Sequence, residues 1–340
     1  MEGLLLDNKG NRIMMRLDSI DQKLIGQLQA EFPLTKIPFA TLGLSLGIAE
    51  EEIIQRIGQL EAHGLIRQIG PVFNVGSLGY RTTLVAMKVV ETQLDRAAHF
   101  IKKHPGISHG YERDNAFNLW LTLAVPAVVD MEAEIQKLAS AVSAATAFSL
   151  PAVRVFKLRA HFVLGRERPS ETTTINASNV PRRDNELSPE DRNIINELQQ
   201  DLPLVPEPFT AMAAKLGMDE EKFVVSCQSL LSRGIMRRFS AAVNHHRAGF
   251  KANAMTCWSA PSGKVAAAGK KLASLPEVSH CYERRPNPFW RYNLFAMIHA
   301  TTKEGCQEII DKVSTETGLA DPVVLLSTRE LKKTRVKYPV

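Results

Sequence analysis

The chain has 340 residues, 44% of them hydrophobic and 23% charged, with a formal net charge of +6. That length suits about two domains, each able to bury a core, and an ordinary apolar fraction with little net charge per residue excludes disorder over most of the chain. No stretch approaches the ~18 uninterrupted apolar residues of a membrane span. The mild basicity admits a polyanionic ligand or nucleic acid without deciding between them.

The opening residues 1–12 hold a short apolar run between Glu2 and Asp7 and lack the basic-then-apolar layout of a secretory leader. Residues 18–30 place Ile20, Leu24, Ile25 and Leu28 on one helical face. A proline turn leads to a short helix over 39–46, stopped at Gly47. A third helix over 49–63 carries Ile53, Ile54, Ile57 and Leu60 and ends at Gly64. Residues 65–74 then alternate as a strand. Three short helices and a β-wing predict a winged helix-turn-helix over 1–75. The next segment, 76–163, reads as a strand at 82–90, a helix at 94–103, a hairpin at 107–111 and 118–125, a helix at 127–139 and a final strand at 153–163. This β-α-β-β-α-β order predicts a ferredoxin-like domain. Residues 164–187 are rich in Ser, Thr, Asn and Pro and read as a flexible linker.

The same order then returns. Asp21-Gln-Lys-Leu-Ile matches Asp191-Arg-Asn-Ile-Ile, Pro38-Phe39 matches Pro208-Phe209, and Gly64-Leu-Ile-Arg67 matches Gly234-Ile-Met-Arg237. Ser108-His109-Gly110-Tyr111-Glu112-Arg113 matches Ser279-His280-Cys281-Tyr282-Glu283-Arg284, and Asn118-Leu-Trp120 matches Asn293-Leu-Phe295. The second copy has an insertion, Arg285-Pro-Asn-Pro-Phe-Trp-Arg291. The repeat predicts a second winged helix over 188–244, a second ferredoxin-like domain over 245–340, and an α+β fold in which the tandem copies pack as a pseudo-dimer. Cys227, Cys257, Cys281 and Cys306 all fall in the second half without a C-x-x-C pair, which predicts reduced, buried thiols of a cytoplasmic protein. His245-His246 lacks a third ligand at fitting spacing, so no metal site is expected.

A winged helix followed by a ferredoxin-like domain resembles the Lrp/AsnC superfamily of transcriptional regulators. Here, however, the helix that would read DNA opens with Ala49-Glu50-Glu51-Glu52, and its second-copy counterpart with Asp219-Glu220-Glu221. Carboxylates there suit the helix dipole but repel phosphate, which weighs against DNA binding. The elements Phe32-Pro33, Pro38-Phe39, Gly64-Leu-Ile-Arg67, Phe73-Asn74, Gly79-Tyr80 and the two His-x-Tyr-x-Arg strands are similar instead to the siroheme decarboxylases of d1-type haem and alternative haem biosynthesis. The likeness spans nearly the whole chain and is to the fused form, in which two subunits became one.

The resemblance implies removal of two acetate carboxyls, at C12 and C18 of siroheme, giving 12,18-didecarboxysiroheme and two carbon dioxides. It implies no cofactor, since the iron belongs to the substrate and the macrocycle can delocalise the electrons left behind. Siroheme is an apolar disc rimmed by carboxylates, for which Arg is the better-matched cation. Arg67, Arg113, Arg237, Arg238, Arg284, Arg291, Arg329, Lys333 and Arg335 are the candidate rim contacts, and Trp290 a candidate cover for the ring face. His280 and His109 are the candidate proton donors, titrating near neutrality, with Tyr282 and Tyr111 two residues on to relay or position protons. Either histidine could instead ligate the iron. His, Tyr and Arg at i, i+2, i+4 share one strand face and form a polar stripe. The insertion and basic tail favour a principal site in the second copy. Two other functions stay open: a DNA-binding regulator, and a sensor or carrier that holds the tetrapyrrole unchanged. Assembly into a homo-oligomer and contact with other tetrapyrrole-pathway enzymes also stay open; no membrane partner is expected.

Overall fold

Asp18 and Ser188 begin the two copies in the same way, each closing a capping box with the Asp three residues on. In the first copy α1 (Ser19–Ala30), α2 (Pro38–Leu46) and α3 (Glu50–Ala62) follow, with proline at the start of α2 and a left-handed Gly47 at its end. The second copy repeats them as α6 (Pro189–Leu198), α7 (Pro208–Lys215) and α8 (Glu220–Ser232). The computed structural model describes residues 17–158, 186–244 and 252–340, with the backbone of the two-residue strands Leu5–Leu6, Arg12–Ile13 and Ile175–Asn176. Most of the linker, with His245 and His246, lies outside the described residues.

The strand that follows each helical trio is not a wing of its own copy. β1 (Ile66–Phe73) pairs antiparallel with β7 (Met236–Val243), so one strand from each copy makes a two-stranded ribbon. Neither strand could satisfy its backbone alone, and each is the other's only ladder partner among the described residues. The two helical units share one apolar core around Leu24, Ile25, Phe32 and Phe39 of the first and Phe209, Phe223 and Phe239 of the second.

The ferredoxin-like halves are β2 (Tyr80–Val89), α4 (Leu94–Lys103), β3 (Ile107–Arg113), β4 (Leu119–Pro126), α5 (Met131–Ala141) and β5 (Ala144–Leu150), then β8 (Ala252–Trp258), α9 (Ser262–Ser274), β9 (Val278–Arg284), β10 (Leu294–Ala300), α10 (Lys303–Thr317) and β11 (Val323–Lys333). The closing strand of the first copy differs from expectation. β5, over small and polar residues that read as neither helix nor strand, takes the fourth place, and β6 (Ala152–Leu158) follows past Pro151. β6 leaves its own copy and pairs with β9. β11 does the same as one unbroken strand: residues 323–326 pair with β8, and residues 327–333 with β3. The sheet order is therefore β5-β2-β4-β3-β11-β8-β10-β9-β6, with Ile175–Asn176 at the edge.

This exchange is reciprocal. Phe156 of β6 is buried in the core under α9 and α10, and Leu331 of β11 in the core under α4 and α5. A Cβ on Gly269 of α9 would overlap the Phe156 ring. Because β5 runs into β6 through one residue, the ends of the sheet are tied together. Its two halves face each other across Trp120, Phe148, Cys257, Trp290, Phe295 and Leu325. The tail after β11 returns to the helical units, where Tyr80 and Tyr338 rings meet at 5.1 Å and Asn196 of α6 and Gln199 just beyond it hold the last residues. All four cysteines are buried and free, and no helix among the described residues is long and apolar enough to cross a membrane.

Candidate active site

The position of the histidines is decided by a bulge. On β3, Ile107 faces Leu123 and His109 faces Thr122, so Ser108 is an extra residue in the ladder. On β9, Val278 faces Ile298 and His280 faces Met297, so Ser279 is extra in the same way. Strict alternation would put each His on the face of Ile107 or Val278, under the helices. The inserted serine resets the phase. His109, Tyr111 and Arg113, and likewise His280, Tyr282 and Arg284, then turn to the face away from the helices. Each bulge serine bonds the imidazole beside it: Ser108 Oγ to His109 Nδ1 at 2.9 Å, and Ser279 Oγ to His280 Nδ1 at 2.8 Å.

The two imidazoles come from different copies yet share one environment. Burial, then Lys333, then Arg67, hold His109 at a pKa of about 4, with Glu330 opposing. Burial holds His280 at about 3, with His109, His299, Lys333 and Arg238 all adding to the depression. His299, on β10, is 4% exposed, and its Nε2 lies 2.7 Å from Ser279 Oγ.

A cationic wall faces them from the β1–β7 ribbon and the end of β11. Arg67 Nη2 donates to Glu330 Oε1 at 3.0 Å and its Nη1 to the Lys333 carbonyl at 3.2 Å. Arg238 donates to Ser240 Oγ and to the Leu158 carbonyl. Arg335 donates to the Ser240 carbonyl and lies where a Cβ on Gly70 would stand 2.7 Å from its Nη1. Arg237 reaches Asn74 Oδ1 at 3.4 Å and faces Tyr282. Burial, then the neighbouring Arg67, lowers Lys333 to about 8 against the pull of Glu330; burial, then Arg238, lowers Arg335 to about 10. Tyr111 donates weakly to Glu330 Oε2 at 3.5 Å, and burial pushes both Tyr111 and Tyr282 above their ordinary range.

Arg113 and Arg284 have another task. Arg113 Nη1 donates to the Leu325 carbonyl and Arg284 Nη1 to the Leu150 carbonyl, both at 2.7 Å. Leu325 and Leu150 are equivalent residues, each in the strand that carries its chain toward the other copy. The guanidiniums stack on Tyr111 at 5.2 Å and on Tyr282 at 4.6 Å, and Arg113 is 3% exposed. The pair clamps the strand exchange.

Three expected residues lie elsewhere. Arg329 is exposed on the outer face, paired with Asp95 at 2.6 Å and Glu112 at 2.9 Å. Arg291 is exposed and rests on the Tyr292 ring. Trp290 is 5% exposed and packs on Trp120, Phe117 and Tyr292 between the sheet halves, so it is a core residue rather than a loop cover. Sequence reasoning passed over Ser108, Ser279 and Glu330. The bulge is the reason: a serine before a histidine carries no mark of being an extra residue.

Comparison with known proteins fits this architecture. The NirDL-like HTH domain of siroheme decarboxylases matches residues 21–67 and 191–237, and the AsnC-like ligand-binding domain matches 77–157 and 247–332. A siroheme decarboxylase of Hydrogenobacter thermophilus is 36% identical over 93% of this chain and 94% of its own length. The chain belongs to the siroheme decarboxylase family. The beta subunit of the Methanosarcina barkeri siroheme decarboxylase is 38% identical over 43% of this chain and 97% of itself, the relation expected between a separate subunit and one half of a fused family member. The crystal structure of the siroheme decarboxylase NirDL superposes with a TM-score of 0.71 at 33% identity over 94% of both chains. A second NirDL crystal structure, in complex with an iron-uroporphyrin III analogue, matches equally, over 95% of both chains.

Proposed function

We propose that this protein is a siroheme decarboxylase, a carboxy-lyase that removes the acetate carboxyls at C12 and C18 in d1-type or alternative haem biosynthesis. The observation that carries this reading is the convergence of His109 and His280, one from each copy, before a wall formed by Arg67, Arg237, Arg238, Lys333 and Arg335. Arg67 Nε and Arg335 Nη1 are buried without an acceptor among the described residues. Buried donors of this kind are normally satisfied, and the carboxylate rim of the tetrapyrrole supplies acceptors.

The chemistry needs little from the protein besides placement and a proton. As the bond between the acetate methylene and its carboxyl breaks, carbon dioxide leaves and its electron pair stays on the methylene carbon, spread into the macrocycle. A proton from imidazole Nε2 then makes the methyl group. Both Nδ1 atoms are engaged by serine, which leaves Nε2 as the edge available to substrate. Without ligand the imidazoles are neutral at pH 7, because burial and the cations oppose a further charge. A polyanionic substrate reverses that field and raises their proton affinity where a donor is required. The reading needs no cofactor beyond the iron the substrate brings.

Anaerobic incubation with siroheme, followed by mass spectrometry, tests it. The product is expected lighter by one and then two carbon dioxides; binding without mass change would make the protein a carrier. His280→Ala is expected to slow turnover at least roughly tenfold while siroheme still binds, and unchanged turnover would remove His280 from the mechanism.

A further inference from the structure

The two histidines are not equivalent, and the difference lies one residue behind them. Ser279 Oγ bonds two imidazole nitrogens at once, His280 Nδ1 at 2.8 Å and His299 Nε2 at 2.7 Å. The first copy has the same serine–histidine pair but, among the described residues, no second imidazole on the serine. The residue in the place of His299 is Ala124: His299 N donates to the Glu277 carbonyl as Ala124 N donates to the Gly106 carbonyl. His109 faces Lys333 across the ladder, whereas His280 faces Leu158. One histidine thus has a lysine as its ladder neighbour, whereas the other has a leucine and continues through its serine to a second imidazole.

A serine hydroxyl has one proton. When it bonds two neutral imidazole nitrogens, it donates to one and accepts from the other, so the tautomers of His280 and His299 are coupled. We propose that His299 is a positioning and proton-supplying residue for His280, acting through Ser279, so that the second copy's imidazole can give up its Nε2 proton without becoming an imidazolate. The proposal rests on the decarboxylase reading above. Its proton balance closes within the chain. His280 gives its Nε2 proton to the substrate carbon, His280 Nδ1 takes the Ser279 hydroxyl proton, and Ser279 Oγ takes the Nε2 proton of a protonated His299. The carbanion and one imidazolium become a methyl group and a neutral His299, and His280 is left with its proton on Nδ1; a solvent proton taken up at His280 Nε2, with the chain running back through Ser279 to His299, restores the starting state. Two carboxyls leave per siroheme, so this reset falls between the first and the second. Charged and titratable groups facing His280 come from every side: His109 of β3, His299 of β10, Lys333 of β11 and Arg238 of β7. Of these, His299 shares a hydrogen-bond partner with it, Ser279 Oγ.

The test is single-turnover decarboxylation of siroheme under anaerobic conditions, in mixtures of light and heavy water and across pH, for the wild-type chain, His299→Gln and Ser279→Ala. Glutamine keeps an amide where Nε2 stands but cannot pass a proton. Siroheme titration of each variant checks that the fold and site survive, with affinity expected within about twofold of wild type. Both variants are expected to lose roughly ten- to hundredfold in the decarboxylation rate. The wild-type rate should bow against the fraction of heavy water, reporting more than one proton in flight, and become linear in both variants. Variants that keep the wild-type rate and the bowed dependence overturn the relay alone. A wild-type chain that binds siroheme and returns it with every carboxyl intact overturns the decarboxylase reading and the relay with it.

Discussion

Arg113 and Arg284 show how far a residue's chemistry can differ from its apparent role. Both sit on the polar stripe with the histidines, yet each spends a guanidinium N–H on a backbone carbonyl of a crossing strand. Removing Arg113 orphans the Leu325 carbonyl, at about 1–3 kcal/mol, and leaves the cationic wall intact. Arg113→Met is therefore expected to lower the denaturation midpoint with little change in siroheme affinity, and Arg238→Met, which also gives up its bond to the Leu158 carbonyl, to weaken siroheme binding as well; equilibrium unfolding and Soret titration separate the two. The imidazoles carry a pH signature of the same origin. Their ordinary pKa of 6.5 falls to about 4 and about 3 in the folded chain, so between pH 6.5 and 4 the unfolded state takes up protons that the native state refuses. Stability is full above pH 6.5 and is lost as pH falls through that window, by about 1.4 kcal/mol per histidine at one unit below 6.5. Urea titrations at pH 7 and pH 5.5 should show this loss, smaller in a His109→Gln, His280→Gln double variant. The stripe itself was legible, since His-x-Tyr-x-Arg needs only the two-residue period of a strand. The clamp was not, because the partner of Arg113 is a carbonyl far along the chain, and hydrogen bonds to backbone leave no trace in side-chain pattern.

At the scale of elements, helices were the readable part, because capping and glycine stops are local. Asp18 and Ser188 with their partners, and Gly47, mark the observed ends. α5 starts at Met131, after its cap Asp130, rather than at residue 127, since Asp130 accepts from Glu132 N and Ala133 N. Strand partnership was not readable. β1 reads as a wing and β6 as a closing strand, and both find partners in the other copy. The carboxylates that open α3 and α8 are likewise engaged within the protein. Glu50 accepts from Ala40 N, and Lys36 of the first copy reaches Glu207 and Glu220 of the second. The exchange of β6 is held by the fit of Phe156 over Gly269. Gly269→Ala is expected to destabilise by roughly 1–3 kcal/mol through overpacking. Adding Phe156→Leu should recover part of that loss, as a double-mutant cycle of thermal unfolding would show; strict additivity would mean the two do not meet.

For the whole molecule, the repeat was the most informative feature of the sequence. It implied a pseudo-dimer, but it could not show how completely the copies interpenetrate: a shared helical core, a shared ribbon and exchanged terminal strands. Interpenetration brings groups of both copies to one site and lets them differ. The first copy supplies His109 and Arg67, the second His280, His299, Arg237, Arg238, Lys333 and Arg335. A homodimer would have to repeat every group on both sides; a fused chain can place Lys333 beside one histidine and leave Leu158 beside the other. The central claim is that both imidazoles serve a single bound disc. A crystal structure of the chain soaked anaerobically with siroheme tests this most directly. The account predicts the macrocycle between the β1–β7 ribbon and the sheet, with Nε2 of His109 and of His280 turned toward it and its carboxylates on Arg67, Arg238 and Arg335. A tetrapyrrole seated elsewhere, or one in reach of neither imidazole, would contradict it.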